Sequence, residues 1–190
     1  MGIRVLAFWT IAVALPLAAQ ERAIDTERST IVIHVGKSGL LSAAAHDHTV
    51  DAPISSGVMV ESGAPRIELR VETAKMRVKP DPKISANDQA TIQTHMEDMV
   101  LETKKFPEIA FHSSRVQKTG EGQWQVDGDL SLHGVTKAIT LAVKQKGDAY
   151  TTQTVLKQTA FGIKPISIGG GMIKVKDEIE LSFQIFARPN

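Results

Sequence analysis

From Ile31 onward, apolar and polar residues alternate in short runs, the period that turns one face of a strand inward and the other to water. Arg66–Glu72 is the clearest case. There Ile67, Leu69 and Val71 alternate with Arg66, Glu68, Arg70 and Glu72, a pattern that a helix would spread around its whole circumference. Thr30–Val35, Trp124–Leu132 and Ile179–Ile185 repeat the alternation, and Gly57–Glu61, Glu108–Val116, Thr136–Lys144 and Ala149–Lys157 repeat it more weakly. Turn-forming residues fall between consecutive runs at Ser62-Gly63-Ala64-Pro65, Gly120-Glu121-Gly122, His133-Gly134 and Gly147-Asp148, so most of the strands are expected to be hairpin-linked. One segment departs from this period. In Asn87–Leu101, Ile92, Met96, Met99 and Val100 recur at helical spacing behind a Ser85-x-x-Asp88 capping signal, and Pro107 bars the helix from continuing. Eight strands and one helix, without strand–helix alternation, predict an all-β fold: an eight-stranded antiparallel up-and-down barrel, just wide enough to hold one ligand.

Composition narrows the class. Met1–Ala19 carries a single charge at Arg4, an apolar stretch from Val5 to Leu17 and small residues at Ala18 and Ala19, the layout of a secretory signal peptide cleaved before Gln20. Its apolar core is too short to span a bilayer as a helix, and no later segment is apolar enough to cross, so no integral span is expected after removal of the signal. The remainder, 20–190, has the size of one domain. The absence of cysteine excludes disulfides, thiolate metal sites and a lipoprotein-type acyl anchor. The 22 Lys+Arg become 21 when Arg4 is lost, against 21 Asp+Glu, and this balance offers no basic footprint for nucleic acid. Export without cysteine fits a periplasmic protein, with release to the exterior as the alternative.

Several stretches together resemble the YceI-like family of exported polyisoprenoid-binding proteins. Phe106-Pro107-Glu108-Ile109-Ala110-Phe111-His112-Ser113-Ser114 is similar to the family's aromatic-Pro-x-Ile-x-Phe-x-Ser strand. Val126-x-Gly128-x-Leu130-Ser131-Leu132-His133-Gly134-Val135-Thr136-Lys137 is similar to its central hairpin. Ile24-Asp25 with Ser29 resembles the opening strand, and Phe161-Gly162-Ile163 a late Phe-Gly-Ile, while Ala23 and Ala160 stand where an aromatic and an acidic residue are usual. The resemblance implies a lipocalin-like barrel with its helix near the mouth, whose interior takes up an isoprenoid chain such as a polyprenyl lipid or quinone tail. No other cofactor is implied.

Within that frame Ile33, Leu69, Phe111, Leu130, Leu141, Phe161 and Phe183 are candidates to surround a lipid tail, because apolar walls bind through area removed from water. The competing reading is a barrel filled by its own side chains. Met96 and Met99 are candidates for an adaptable lid, methionine being unbranched and polarizable. In His46-Asp47-His48 the two imidazoles share one face of a strand and could meet a metal or a head group, but a closed site needs a third ligand, from His95 or His112. Ile168-Gly169-Gly170-Gly171-Met172 lacks the Gly-Lys-Ser/Thr ending of a nucleotide loop and reads as a loop or bulge with room for a head group, flanked by Lys164, Lys174 and Lys176. No nucleophile elbow, Ser-His-Asp signature or His-Glu-x-x-His helix occurs, so catalysis is not expected. The leading expectation is a carrier for an isoprenoid or similar amphiphile, tail inward and head at the mouth. Its rivals are a metal-dependent exported enzyme built on His46 and His48, and a filled barrel acting only through protein partners, a second copy of the chain included.

Overall fold

A computed structural model describes residues 20–39 and 46–189; the expected signal peptide, 1–19, lies outside the described residues. The strands are β1 (Glu21–Ala23), β2 (Thr30–Ser38), β3 (His48–Asp51), β4 (Ile54–Val60), β5 (Arg66–Glu72), β6 (Arg77–Val78), β7 (Glu108–Gly120), β8 (Gln123–Leu132), β9 (Val135–Lys146), β10 (Ala149–Lys157), β11 (Ser167–Ile168) and β12 (Ile173–Phe186). All belong to one antiparallel sheet, in which eleven follow the order β1-β4-β5-β7-β8-β9-β10-β12-β2-β3-β6 and β11 pairs with β12 off that path. The fold is therefore an all-β curled sheet, as the alternation predicted, but with twelve strand segments among the described residues in place of eight.

The excess has a local cause. At Ala52-Pro53 the chain bends between β3 and β4, since proline has no N–H for the ladder, and the Ala52 N–H instead reaches the Ile31 carbonyl at 2.9 Å. β3 then pairs with β2, whereas β4 pairs with β1. β1 and β2 are separated in turn by the Thr26–Arg28 turn, anchored where the Ser29 N–H donates to the Asp25 carbonyl at 2.9 Å. β6 and β11, two residues each, are too short to show alternation. The curl brings β1 against β12 as well: Ile24 faces Ala187, the Asp25 N–H donates to the Phe186 carbonyl and the Arg188 N–H to that of Ala23, both at 2.8 Å.

The helix begins one residue before the expected point. α1 (Ala86–His95) is capped by Ser85, whose hydroxyl accepts from the Asp88 N–H. It then passes into a π turn, Met96–Val100, closed by a bond from the Leu101 N–H to the Met96 carbonyl. The wide turn shifts the helical phase, so Met96 is buried while Met99 stands in solvent at 62% exposure.

The core lies inside the curl. One cluster centred on Leu69, Phe111, Val126, Leu141 and Ile185 runs through it, and a second, Leu132, Phe161 and Ile163, fills the end beside α1. Alternation puts these residues there: Leu69 pairs with Phe111 across β5–β7, and Phe111 with Leu130 across β7–β8, each pair projecting to the same face. The β8–β9 hairpin turns on two residues, His133 (φ 52°) and Gly134 (φ 75°), the doubly positive geometry that matches strand twist and that the sequence signalled.

Candidate functional site

The inner face encloses a cavity of about 220 Å³, well beyond the ~10–15 Å³ one water requires by the same measure, so it is not a packing defect. Its wall draws on strands along the whole path, from Met59 and Leu69 through Phe111, Val126 and Leu141 to Phe183 and Ile33. Nearly all of it is hydrocarbon. Of the nine residues expected to contact lipid, Ile33, Leu69, Met96, Phe111, Leu130, Leu141, Phe161 and Phe183 line the cavity together; Met99 does not, for the π-turn reason above.

The two ends of the cavity differ. Beside α1 the wall is mostly apolar, with Met76, Met96, Leu101, Leu132, Phe161 and Ile163, and its polar members Lys157 and Gln158 are held by Glu178 (3.7 Å) and the Lys176 carbonyl (2.8 Å). At the opposite end, near the β4–β5 and β9–β10 turns, it includes Glu61, Arg66, Trp124 and Tyr150. Those groups are tied to one another and to neighbours. The Arg22 Nη1 donates to Glu61 Oε1 at 2.8 Å, Trp124 Nε1 to Gln145 Oε1 at 3.2 Å, and Arg66 pairs with Glu21. Burial, together with the adjacent Glu61 carboxylate, pushes the Tyr150 phenol up to about 12, so it remains a donor at any physiological pH.

Sequence reasoning missed part of this wall. Tyr150, Thr152 and Thr154 were not singled out, although β10 carries the signal: the polar, exposed Gln153 marks the outward parity, which leaves Tyr150, Thr152, Thr154 and Leu156 facing inward.

The polar candidates are dispersed. His46 Nδ1 lies 3.9 Å from Asp81 Oδ2, and His48 opens β3. Burial, and next the neighbouring His46, hold the His48 imidazole below its ordinary value. His112 sits on β7 beside Glu68 (3.6 Å) and His95 ends α1, so the third ligand expected from one of them does not assemble; no three His, Asp or Glu side chains among the described residues are placed to hold a metal. His133 belongs to its hairpin, bonded through Nε2 to Glu102 Oε2 at 2.8 Å and packed on the Phe106 ring at 4.2 Å. Gly169–Gly171 form a short turn between β11 and β12, with the stem of Lys174 against Gly171.

Comparison with known proteins places this geometry. A UPF0312 protein of Vibrio parahaemolyticus is 30% identical over 148 residues, covering 72% of this chain and 70% of that one. A UPF0312 protein of Pseudomonas putida strain W619 is 39% identical over 74 residues, and there the chain spans only 38% of the relative's length. Among solved structures, Burkholderia cenocepacia BcnA superposes with a TM-score of 0.63 at 16% identity, over 87% of this chain and 99% of that one. A polyisoprenoid binding domain from Saccharophagus degradans, implicated in plant cell wall breakdown, superposes with a TM-score of 0.57 at 14% identity, over 88% and 98%. At such identities the likeness to those structures is one of fold. The profile of the YceI-like domain matches residues 23–187, nearly the whole described chain, and the chain belongs to that family.

Proposed function

We propose that the protein is an exported carrier that holds an isoprenoid or similar amphiphilic lipid inside its curled sheet. The observation that carries this reading is the cavity itself: about 220 Å³ of space with an almost continuous hydrocarbon wall, inside a chain whose relatives include a polyisoprenoid binding domain. Burial of a lipid chain against such a wall is favourable by roughly 25 cal/mol per Å² of apolar surface removed from water. Counting β1–β2 and β3–β4 as one bent strand each, and leaving out the two-residue β6 and β11, the sheet acts as an eight-stranded barrel, with the Ile24–Ala187 bridge supporting its closure. The leader-like 1–19 segment supports export, most simply to a periplasm, and an intact mass beginning at Gln20 in the periplasmic fraction is the expected result.

The test is native mass spectrometry of the purified protein, followed by organic extraction. A stoichiometric isoprenoid or quinone leaving with the protein is expected. Empty protein that carries metal, lost in His46→Ala/His48→Ala, would transfer the role to that pair; wholly empty protein would indicate a partner-binding barrel. The same spectrum reads whether two copies pair.

A further inference from the structure

β10 is built inside out. Its inward positions are Tyr150, Thr152, Thr154 and Leu156, while Val155 projects outward with 55% of its surface exposed. Two threonines thus stand on the wall of an otherwise hydrocarbon cavity, cross-strand from Phe183 and Leu181 on β12, with their Cα atoms about 7 Å apart along the strand. They are not equivalent. The Thr152 hydroxyl donates to the Ala142 carbonyl at 2.8 Å, so its proton is used. The Thr154 hydroxyl has no partner among the described residues and is not sealed in protein, and the parity of β10 turns its side chain to the cavity, free to donate and to accept. A valine of the same shape would satisfy the wall better, because a hydroxyl among carbon atoms forfeits its bonds to water.

Charge along the same wall is confined to the two ends and already engaged. The cations on the lining are Arg66, paired with Glu21, and Lys157, whose Nζ lies 3.7 Å from Glu178. Between them no cation among the described residues lines the cavity to meet an anionic group.

We infer that β10 carries a ligand hydrogen-bonding subsite at Thr154, which takes a neutral polar group, an alcohol or a carbonyl, inside the cavity, with the apolar chain running toward the Met96–Phe161 end. The inference rests on the carrier reading and reverses its orientation: the head goes in and the tail lies beneath α1. The polarity gradient agrees, since Tyr150 and Glu61 lie beyond Thr152 on the head side, whereas beyond Thr154 come Leu156, Leu132 and Ile163, with the polar Lys157 and Gln158 there already engaged by Glu178 and the Lys176 carbonyl. A phosphorylated head group would be stranded without a counter-ion and is excluded from the subsite.

The experiment is equilibrium dialysis of the full chain and of Thr154→Val and Thr154→Ser against three probes: geranylgeraniol, its hydrocarbon counterpart without the hydroxyl, and geranylgeranyl phosphate. Expected are preference for the alcohol over the phosphate, a three- to tenfold weaker hold on the alcohol in Thr154→Val with the hydrocarbon unaffected, and recovery in Thr154→Ser, about the effect of one hydrogen bond. Alcohol binding unchanged in Thr154→Val, or phosphate bound as well as alcohol, overturns the subsite and leaves the carrier reading standing. No probe bound by the parent protein overturns both.

Discussion

Gly128 lies where β8 passes under the Phe111 ring, and a Cβ built on it would sit 2.5 Å from the His112 carbonyl oxygen and 2.6 Å from Phe111 Cζ. Neither obstacle is the loose end of a flexible side chain. Gly128→Ala is therefore expected to cost at least about 1–3 kcal/mol in urea unfolding and to displace a ring that forms the cavity wall. Phe161, 2% exposed, anchors the apolar end, and Phe161→Ala is expected to lose about 3–5 kcal/mol by the same measurement. His48 gives a pH dependence whose sign follows from its lowered pKa. The unfolded chain takes up the proton at about 6.5 while the folded chain, burying the ring near His46, takes it up only at lower pH. Stability is thus lost as pH falls through that window. The neighbouring His46 adds to the shift, and the Asp47 and Asp81 carboxylates oppose it. His48→Gln is expected to flatten the unfolding midpoint across the window, and a midpoint with unchanged slope would show that the ring is not responsible. Of the nine apolar residues singled out, eight line the cavity, since strand parity and helical spacing are properties of the sequence. Met99 was misplaced because a π turn depends on packing that no short-range pattern encodes, and Thr154 was passed over because threonine marks neither face.

Among the elements, the segment after α1 is the most tightly specified. Glu102 takes a positive φ of 46°, accepts backbone bonds from Lys105 and Phe106, and holds His133 of the β8–β9 turn, while Phe106 packs over that turn. A Cβ on Gly134 would lie 2.6 Å from the Phe106 ring, at a φ that side chains rarely adopt. Gly134→Ala should loosen hairpin and helix together, with hydrogen exchange rising at residues 96–106 as well as at 132–135. Ser85→Ala removes one cap and is expected to cost about 1 kcal/mol without touching the hairpin. The hairpins were legible because their turn residues are local signals. The short halves of the bent pairs, β1 and β3, were not, since three and four residues are too few for a period to register, and Pro53 could be read as a boundary as easily as a bend.

For the whole molecule, the carrier proposal predicts that stability follows occupancy of the apolar interior. A ligand that binds only the folded chain raises its stability by about 2.7 kcal/mol at one hundred times its Kd. Delipidated protein is expected to melt lower than protein reloaded with geranylgeraniol, in proportion to the logarithm of added ligand, and coincident melting curves would count against internal binding.

Both ends of the strand path are closed to newcomers. At β1 the backbone is taken by the tail of β12, through Asp25 to Phe186 and Arg188 to Ala23. At β6 a single side chain imitates a neighbouring strand: Gln93 of α1 accepts from the Val78 N–H at 2.8 Å and donates to the Met76 carbonyl at 3.0 Å. An uncovered β edge is a template on which other chains polymerise. The glutamine amide thus stands between a protein that can accumulate to high concentration and one that seeds fibrils, and Gln93→Ala should shorten the lag of thioflavin-positive aggregation before it changes the melting temperature.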